Sequence, residues 1–381
     1  MIKVLHIITK LEFGGAQGNT IYTVSHLDKT IFDAKLVAGP GGMLDEKVPP
    51  ESVTYAPRLT RSINPANDLL TLFNLRDIIR EEKPFIVHTH SSKAGILGRL
   101  AARLAGVPVI VHTFHGFGFH ERQNVFKKYF FIFLEKFCAL FTDALIFVSS
   151  ANMDYARHYS IGSEARYSLI RSGIPLKNYP SRADRAAKRR ELGVPQNATL
   201  IVSLGNLKPQ KNPGDFIAAA LRLSGEHKDA VFMLVGGGED LETARTRAKE
   251  AGLEHRLLFP GWREDSAEIL AAADIFALTS LWEGLPRSLV EAIKTGLPSV
   301  CYRTDGVADL LYDGANGYMV EQGDMFTFCS RIKELIENPA LRAEMSAKAA
   351  GADLSEFDID YMVRQQEKLY CELLKKKESN Q

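Results

Sequence analysis

Short apolar runs bounded by Gly, Pro and polar residues alternate with helical patterns along the whole chain. This alternation is typical of parallel βαβ sheets. In the first half the predicted strands are VLHII, KLVAG, FIVHTH, VPVIVHTFH and ALIFVS, and in the second half they are TLIVSLGN, VFMLVGGG, LLFPG, IFALTS and PSVCY. The pattern therefore predicts an α/β protein with two Rossmann-like, doubly wound domains facing a central cleft.

A segment rich in Pro, Arg and Lys and poor in large apolar residues separates the two series of strands. Domain boundaries fall in segments of this composition, and a chain of 381 residues is long enough for two domains. We predict an N-terminal domain over 1–175, a linker over 176–195 and a second domain over 196–355. The last residues, 356–381, read as a C-terminal helix that packs back towards the N-terminal domain.

Charge and cysteine content exclude several classes of protein. The 47 basic and 46 acidic residues give a net charge of only +1, which argues against a broad nucleic-acid surface. Four scattered cysteines have no metal-type spacing and fit a reducing cytosol.

The N-terminal apolar run reads as a strand rather than a signal peptide, and no run reaches the length of a membrane span. We expect a cytoplasmic protein.

Glycines and lysines follow several of the predicted strands, where open α/β sheets bind ligands. Gly14 and Gly15 would form the turn before a helix from about Ala16, where backbone N–H groups face an anion. A purely structural turn is the alternative. Lys208 and Lys211 follow the first strand of the second series, placed as phosphate ligands or simply as solvated charges.

Histidines cluster around the strand that ends in VHTFHGFGFH. His115 falls at its carboxyl end, where a side chain can reach a ligand. His88 and His90 on the neighbouring strand are expected to pack or hydrogen bond, because a third ligand for a metal site is not evident.

Two glutamates flank the turn after the predicted strand IFALTS. Glu283 lies in the loop, Pro286 suits the first turn of the next helix, and Glu291 lies within that helix. Leu285 to Ser288 would then present N–H groups to a diphosphate, and the Glu291 carboxylate could accept hydrogen bonds from two ribose hydroxyls. The alternatives are ordinary surface charges and a glycosidase acid pair, although a glycosidase needs neither lysines nor a glycine-rich anion loop.

These motifs together resemble the family 4 retaining glycosyltransferases of the GT-B fold. The resemblance rests on Glu283 and Glu291 within TSLWEGLPRSLVEAIKTGLPSV, on TDGVADLLYDGANGYMV, and in the first half on FGGAQ, HTHSSKAGILGRLAARLAGVP and HTFHGF. It covers nearly the whole chain. A dinucleotide fingerprint is absent from both glycine-rich segments, LEFGGAQGN and VGGGED, which disfavours a nicotinamide dehydrogenase.

The resemblance implies an acceptor-binding N-terminal domain and a nucleotide-sugar-binding C-terminal domain. It implies catalytic roles for Glu283 at the transferred sugar, His115 beside that sugar and Lys211 at the diphosphate. The family often has an arginine where this chain has Asn206, and Lys208 could replace that charge. The implied donor-binding residues are Gly14, Gly15, Asn206, Lys208, Lys211, Gly261, Trp262, Arg263, Gly284, Leu285, Pro286 and Glu291.

By the same resemblance, the reaction transfers a hexosyl unit from a nucleotide sugar, with a UDP-sugar favoured, to an acceptor hydroxyl of a glycan or lipid-linked saccharide in cell-surface polysaccharide biosynthesis. No cofactor and no metal are expected besides the co-substrate. The two acids Asp358 and Asp360 are expected to cap the terminal helix. A GT-B-fold UDP-sugar epimerase and a non-catalytic nucleotide-sugar-binding module are the alternatives.

The segment FKKYFFIFLEKFCALF packs seven aromatic residues into 126–141. Phe126, Phe130, Phe133, Phe137 and Phe141 recur at helical spacing beside Lys127, Lys128 and Lys136, and Phe131 and Ile132 widen the apolar surface. A core-facing helix is one interpretation. Peripheral docking on the inner face of a membrane, near a lipid-linked acceptor, is the other.

Overall fold

The computed structural model describes residues 1–179 and 184–379. The chain divides into two units, the first built from Met1–Gly173 with Glu356–Gln381 and the second from Ile174–Ser355. Each unit is a parallel sheet with helices, which confirms the predicted α/β class.

The first unit contains a seven-stranded sheet. Its strands are β1 (Ile2–Lys10), β2 (Phe32–Gly39), β3 (Val53–Tyr55), β4 (Ile86–His90), β5 (Val109–Phe114), β6 (Ala144–Phe147) and β7 (Tyr167–Leu169), in the spatial order β3-β2-β1-β4-β5-β6-β7. Its helices are α1 (Gly15–His26), α2 (Pro65–Glu82), α3 (Ser92–Ala105), α4 (Val125–Ala139) and α5 (Ser150–His158), and helix α13 (Ile359–Glu378) returns to this unit from the end of the chain.

The second unit contains a six-stranded sheet. Its strands are β8 (Thr199–Leu204), β9 (Ala230–Val235), β10 (Leu257–Gly261), β11 (Ile275–Leu278), β12 (Ser299–Tyr302) and β13 (Gly317–Val320), in the spatial order β10-β9-β8-β11-β12-β13. Its helices are α6 (Arg185–Glu191), α7 (Pro213–Glu226), α8 (Leu241–Glu250), α9 (Ser266–Ala272), α10 (Arg287–Lys294), α11 (Met325–Glu337) and α12 (Pro339–Ala350).

All ten predicted strands are present, and the sequence patterns missed β3, β7 and β13. Each missed strand is three or four residues long and lies at a sheet edge, where a run is too short for alternation to be evident. Helix starts follow ordinary rules: Pro65, Pro213 and Pro339 occupy first-turn positions.

Helix α13 forms part of the core of the first unit. Met362, Val363 and Tyr370 pack with Phe32 and Ile86 from the sheet. Asp358 caps this helix, because its Oδ1 accepts hydrogen bonds from the backbone N–H groups of Asp360 and Tyr361. Capping was the predicted role of this acid. Both ends of the chain therefore contribute to one hydrophobic core.

The range 176–195, predicted as a linker, contains helix α6 and belongs to the second unit. The buried Arg189 of this helix donates from Nη2 to Asp274 Oδ2 at 2.6 Å and from Nη1 to the Ala198 carbonyl at 2.8 Å. Much of this range is thus structured. Residues 180–183 lie outside the described residues.

Helix α4 carries the aromatic segment and exposes most of it. Phe126 is 86% exposed and Phe133 is 63% exposed, and Phe130, Phe137 and Tyr129 are also exposed. The core-facing interpretation is therefore wrong for Phe126, Phe130, Phe133 and Phe137.

Some residues of the segment do face the core. Ile132 is buried, Phe131 packs partly against the same cluster, and Phe141 packs against the core beside α3. Lys128 is buried and its Nζ contacts Glu121 at 2.6 Å, so this lysine is not part of the exposed surface. Within residues 1–179 and 184–379, every helix is too short or too polar to span a bilayer.

Candidate active site

The strand order of the second sheet identifies where a ligand would bind. Strands β8 and β11 are neighbours in the sheet. The next strand after β8 is β9, towards one edge of the sheet, and the next after β11 is β12, towards the other edge, so a topological switch point lies between β8 and β11. Open α/β sheets bind ligands at the carboxyl ends of such strands. Lys211 follows β8 and Glu283 follows β11, so the predicted site residues converge at this point.

Lys211 and Glu283 form an ion pair, with 2.5 Å between Nζ and Oε1. The Glu283 side chain is 7% exposed and the Lys211 side chain is 21% exposed. The two loops are also joined directly, because Gln210 Nε2 donates to the Trp282 carbonyl at 2.9 Å and Leu281 N–H donates to the Gln210 carbonyl at 2.8 Å. The two charges are therefore held in place by the protein itself.

A glycine-lined surface lies beside this pair. A Cβ on Gly236 would stand 2.0 Å from the Gly205 carbonyl oxygen, and a Cβ on Gly237 would stand 2.4 Å from Trp262 Nε1. Asn206 lies in the same segment as Gly205 and is partly buried. The ends of β8, β9 and β10 can therefore approach one another only because the VGGG segment consists of glycines here. The sequence analysis did not assign these glycines to the site, although three consecutive glycines were a visible signal.

The predicted anion loop lies directly before helix α10. Pro286 is the residue before the first helical residue, not the first residue of the helix, so Arg287 and Ser288 begin the first turn. Gly284 and Leu285 form a tight layer with Gly306, since a Cβ there would stand 2.6 Å from the Gly284 carbonyl oxygen. The glycine of the TDG segment therefore serves close packing against this loop.

Glu291 lies one turn further along α10 and is half-buried. Loss of hydration raises the pKa of its carboxyl group, whereas the positive charge of Arg287 and a hydrogen bond from the Tyr179 hydroxyl act in the opposite direction. Burial also raises the pKa of Tyr179. This tyrosine lies in the range predicted as a linker, and no sequence pattern marked it as a neighbour of Glu291.

The remaining predicted residues of the second unit differ in what their side chains contact. Arg263 is engaged elsewhere: its Nε donates to Asp265 at 2.7 Å and its Nη2 donates to Glu191 of α6 at 2.5 Å. Gly261 has a positive φ of 78° at the end of β10, a conformation that suits glycine. Lys208 is exposed. Because the Arg263 side chain is held by Asp265 and Glu191, a ligand at Gly261 to Arg263 would be contacted by the backbone rather than by this arginine side chain.

The first unit contains the other three predicted residues. Gly14 precedes helix α1 and Gly15 is its first residue, close to the predicted start. His115 follows β5 directly, and its Nε2 lies 3.1 Å from Nδ1 of His90, the last residue of β4. His115 is thus linked to the neighbouring strand by a direct contact between two rings.

Three buried histidines of the first unit lie close together, as the ligands of a metal ion would. His6, His88 and His90 each place a ring nitrogen so that these atoms lie within 4.8 Å of one another. Both ring nitrogens of His88, however, already contact protein oxygens: Tyr370 Oη at 2.5 Å and Thr113 Oγ1 at 2.7 Å. Hydrogen bonds within the protein therefore account for the position of the His88 ring.

Comparison with known proteins matches both halves of the chain to families. Residues 13–178 match the family described as Glycosyltransferase Family 4, and residues 184–351 match Glycosyl transferases group 1. A GT-B protein, HepE of Anabaena, whose crystal structure contains UDP and glucose, superposes with a TM-score of 0.82 at 22% identity, over 97% of this chain and all of that chain. This likeness supports the predicted GT-B fold.

Two relatives with assigned activities align over most of the chain. The UDP-Gal:α-D-GlcNAc-diphosphoundecaprenol α-1,3-galactosyltransferase of Escherichia coli is 32% identical, over 98% of this chain and 97% of its own length. The N,N'-diacetylbacillosaminyl-diphospho-undecaprenol α-1,3-N-acetylgalactosaminyltransferase of Campylobacter jejuni is 26% identical, over 82% of this chain and 84% of its own length. The chain belongs to the family 4 glycosyltransferases.

Proposed function

We propose that this enzyme transfers a hexosyl unit from a UDP-sugar to a saccharide carried on a lipid diphosphate, with retention and without a divalent metal. The observation that carries the proposal is the Lys211–Glu283 pair at the switch point of the second sheet. The two relatives described above have names that include a diphospho-undecaprenol acceptor. This supports a lipid-linked acceptor here.

The donor is proposed to lie along the loops that follow β8, β10 and β11. Glu291 would hold the ribose hydroxyls and the backbone of Gly261 to Arg263 would contact the base. Lys211, with the N–H groups at the start of α10, would stabilise the negative charge of the departing diphosphate, which is the task that a metal performs in other transferases. Glu283 would face the sugar through the carboxylate oxygen that Lys211 leaves available.

Retention is proposed to proceed by internal return. The bond between the anomeric carbon and the UDP oxygen breaks, and the acceptor oxygen forms its bond on the same face. The acceptor proton passes to the departing phosphate oxygen, so charge and atoms balance without a protein nucleophile. His115 would lie beside the donor sugar.

Helix α4 is proposed to dock on an anionic bilayer at the inner face of the membrane, which would bring the cytoplasmic enzyme to a lipid-linked acceptor. Its exposed aromatic face lies beside exposed Arg122, Lys127 and Lys136. Apolar side chains entering the interface and basic residues facing anionic headgroups are the two contributions that bind such helices.

The transfer reaction is tested with UDP-galactose and a synthetic N-acetylglucosamine diphospholipid, in buffer with and without EDTA. We expect acceptor-dependent UDP release, an α-linked product by NMR and no loss of rate with EDTA. Transfer that stops in EDTA would contradict the metal-free proposal. Consumption or isomerisation of the donor without acceptor would favour the epimerase alternative, and UDP-sugar binding without turnover would favour the binding module.

The membrane proposal is tested by flotation with vesicles of phosphatidylethanolamine and phosphatidylglycerol. Changing Phe130 and Phe133 together to Ser removes about 2 kcal/mol of interfacial burial per side chain, about 4 kcal/mol in all, so vesicle binding should weaken about 1000-fold. The exposed Phe326 of the second unit provides a matched control, F326S. The contribution of charge is tested by comparing vesicle binding of the double variant K127E/K136E with that of K29E, a change at another exposed lysine of the first unit. Equal binding by all variants would overturn the proposal.

A further inference from the structure

We propose that Tyr179 is a positioning residue that holds the Glu291 carboxylate in the orientation in which it accepts hydrogen bonds from the ribose of the donor. The consequence for donor binding rests on the proposed role of Glu291. The hydrogen bond between these two side chains is a property of the second unit alone, and it can be measured without a donor.

Tyr179 ends the short segment with which the chain enters the second unit. That unit begins at Ile174, and Leu176–Asn178 form a single 3₁₀ turn. The Tyr179 N–H donates to the Leu176 carbonyl at 3.2 Å, which fixes the backbone after this turn. The tyrosine is 9% exposed. A tyrosine buried to this extent normally has a hydrogen-bond partner for its hydroxyl, and Tyr179 has two.

The two partners of the Tyr179 hydroxyl come from different helices. One is the Glu291 carboxylate of α10, and the other is the hydroxyl of Ser266, the first residue of α9. An ionised carboxylate only accepts hydrogen bonds, so the tyrosine hydrogen goes to Glu291 and a tyrosine lone pair accepts from the serine. The hydrogen bonds therefore form a chain that runs from Ser266 through Tyr179 to Glu291.

This chain connects the two ends of the proposed nucleoside site. Glu291 is the proposed ribose ligand. Ser266 lies three positions after Gly261 to Arg263, the segment whose backbone is proposed to contact the base. Tyr179 thus joins the helix that contains the ribose ligand to the helix that directly follows the base segment, and the two contacts to one nucleoside are held in a fixed relation.

The tyrosine also supports the charge of Glu291. Loss of hydration raises the pKa of this carboxyl group, whereas the positive charge of Arg287 on the same helix, the hydrogen bond from Tyr179 and the positive charge of Lys211 after β8 act in the opposite direction. Of these three groups, the tyrosine is the one that supplies a hydrogen bond. An ionised carboxylate has about four lone-pair sites, so one bond from Tyr179 orients the group and leaves sites for two ribose hydroxyls.

The positioning role is tested by calorimetric binding of UDP and 2′-deoxy-UDP. The missing 2′-hydroxyl deprives Glu291 of one ribose donor, so the wild type should bind 2′-deoxy-UDP about 10-fold more weakly than UDP. In Tyr179→Phe, UDP binding should weaken about 10-fold and 2′-deoxy-UDP binding only about twofold, because the carboxylate is no longer oriented towards the ribose. Equal weakening of both nucleotides would show a general structural role and overturn the proposal.

Tyr318 provides the matched control for this substitution. It is a buried tyrosine of the second unit whose hydroxyl is also hydrogen bonded to a glutamate, Glu334 of α11. Tyr318→Phe removes the same kind of hydrogen bond outside the proposed site and should leave both affinities unchanged. Ser266→Ala leaves Tyr179 in place and should reduce the preference for UDP over 2′-deoxy-UDP about twofold. A preference equal to that of the wild type would contradict the hydrogen-bond chain.

The hydrogen bond itself is measured without nucleotide, by ¹³C NMR of protein labelled at the glutamate carboxyl carbon, with Glu291 assigned from E291Q. Because the bond from Tyr179 opposes the effect of burial, the pKa of Glu291 should be higher in Y179F than in the wild type and unchanged in Y318F. The loss of UDP affinity on acidification should accordingly begin at a higher pH in Y179F. Identical titration of Glu291 in Y179F and the wild type would refute the hydrogen bond, whether or not the protein binds UDP.

The two measurements can fail separately. If the wild type does not bind UDP, the proposed donor site fails, while the titration of Glu291 still decides whether Tyr179 orients its carboxylate. If the wild type binds UDP and Y179F keeps the full preference for UDP over 2′-deoxy-UDP, the donor site stands and the positioning role of Tyr179 is overturned.

Discussion

The two sheets have equivalent switch points, between β1 and β4 in the first unit and between β8 and β11 in the second, and they use them differently. The second unit places the charged Lys211 and Glu283 in loops beyond the strand ends. The first unit places buried, uncharged histidines such as His6 and His88 within the strands themselves. The opposite charges of Lys211 and Glu283 compensate each other, whereas a histidine buried within a sheet without an acidic partner becomes neutral. The same architecture thus supports a charged site in one unit and a pH-sensitive core in the other.

The largest expected effect of this difference is selective acid unfolding of the first unit. Burial lowers the pKa of His6 to about 3 and those of His88, His90 and His112 well below the ordinary value of 6.5. These groups are neutral when folded and bind protons when unfolded, so their stability contribution is complete above pH 6.5 and is lost as the pH falls towards 3. Each proton taken up contributes a slope of about 1.4 kcal/mol per pH unit.

This acid sensitivity can be followed separately in the two units. Both tryptophans, Trp262 and Trp282, lie in the second unit, so tryptophan fluorescence reports on that unit, while hydrogen exchange of β1 and β4 reports on the first. Exchange should accelerate at a higher pH than the fluorescence change. Simultaneous transitions of both signals would contradict the difference between the units.

The next effect in size concerns the charged pair of the second unit. Lys211→Ala and Glu283→Ala should each lower kcat/KM about 1000-fold, roughly 4 kcal/mol, because each removes a group that is proposed to face developing charge and leaves its partner unpaired. The double variant should lose less than the sum of the two single losses. Lys228→Ala, at an exposed lysine of the same unit, is the control and should keep wild-type activity. Additive losses would argue that the two residues act independently.

A smaller effect is expected from the glycine-lined surface. Gly236→Ala should destabilise the second unit by about 3 kcal/mol, because the new Cβ would stand 2.0 Å from a backbone carbonyl oxygen that has no room to move. Gly252 also has a positive φ, but no heavy atom lies within 4 Å of an added Cβ. Gly252→Ala should therefore cost only about 1 kcal/mol. Denaturant unfolding followed by tryptophan fluorescence measures both, and equal costs would show that close packing is unimportant here.

The smallest effect is a gain in stability at Glu291. The raised pKa of this carboxyl group means that the folded protein binds its proton more tightly than the unfolded chain, so the wild type loses stability as the pH rises above the ordinary carboxyl range. Glu291→Gln removes this loss. The variant should melt slightly higher than the wild type at pH 7, with the difference vanishing near pH 4, while its stabilisation by UDP is reduced. A lower melting temperature at pH 7 would contradict this.

Much of the fold and of the second unit's site could be predicted from sequence for a physical reason. Strands buried on both faces give continuous apolar runs, and ligand loops in this fold follow those strands directly, so the sequence alone was sufficient to assign Lys211 and Glu283 to the same edge of one sheet. Asn206 and Arg263 stay predicted donor-binding residues. What could not be predicted for Arg263 is that its side chain turns to Glu191, because that contact depends on a helix in the range predicted as a linker.

The features that sequence patterns missed depend on contacts between distant segments. Tyr179 reaches Glu291 from 112 positions away along the chain, and His6 joins His90 across 84 positions. A single histidine in an apolar strand gives no signal of which strand will lie beside it. The aromatic stripe of α4 showed the opposite limit, since helical spacing alone does not reveal whether an apolar face is buried or exposed.

The return of α13 to the first unit has a consequence for synthesis of the protein. A ribosome makes the strands of the first sheet early, but the core that receives Tyr370 and Val363 is completed only after residues 174–355 have been translated. The second unit is encoded as one uninterrupted stretch and can fold while the first still waits with an open apolar groove. During translation, the part of the protein that is made first is therefore the part that matures last, and it is the one most in need of protection from aggregation until the final helix emerges.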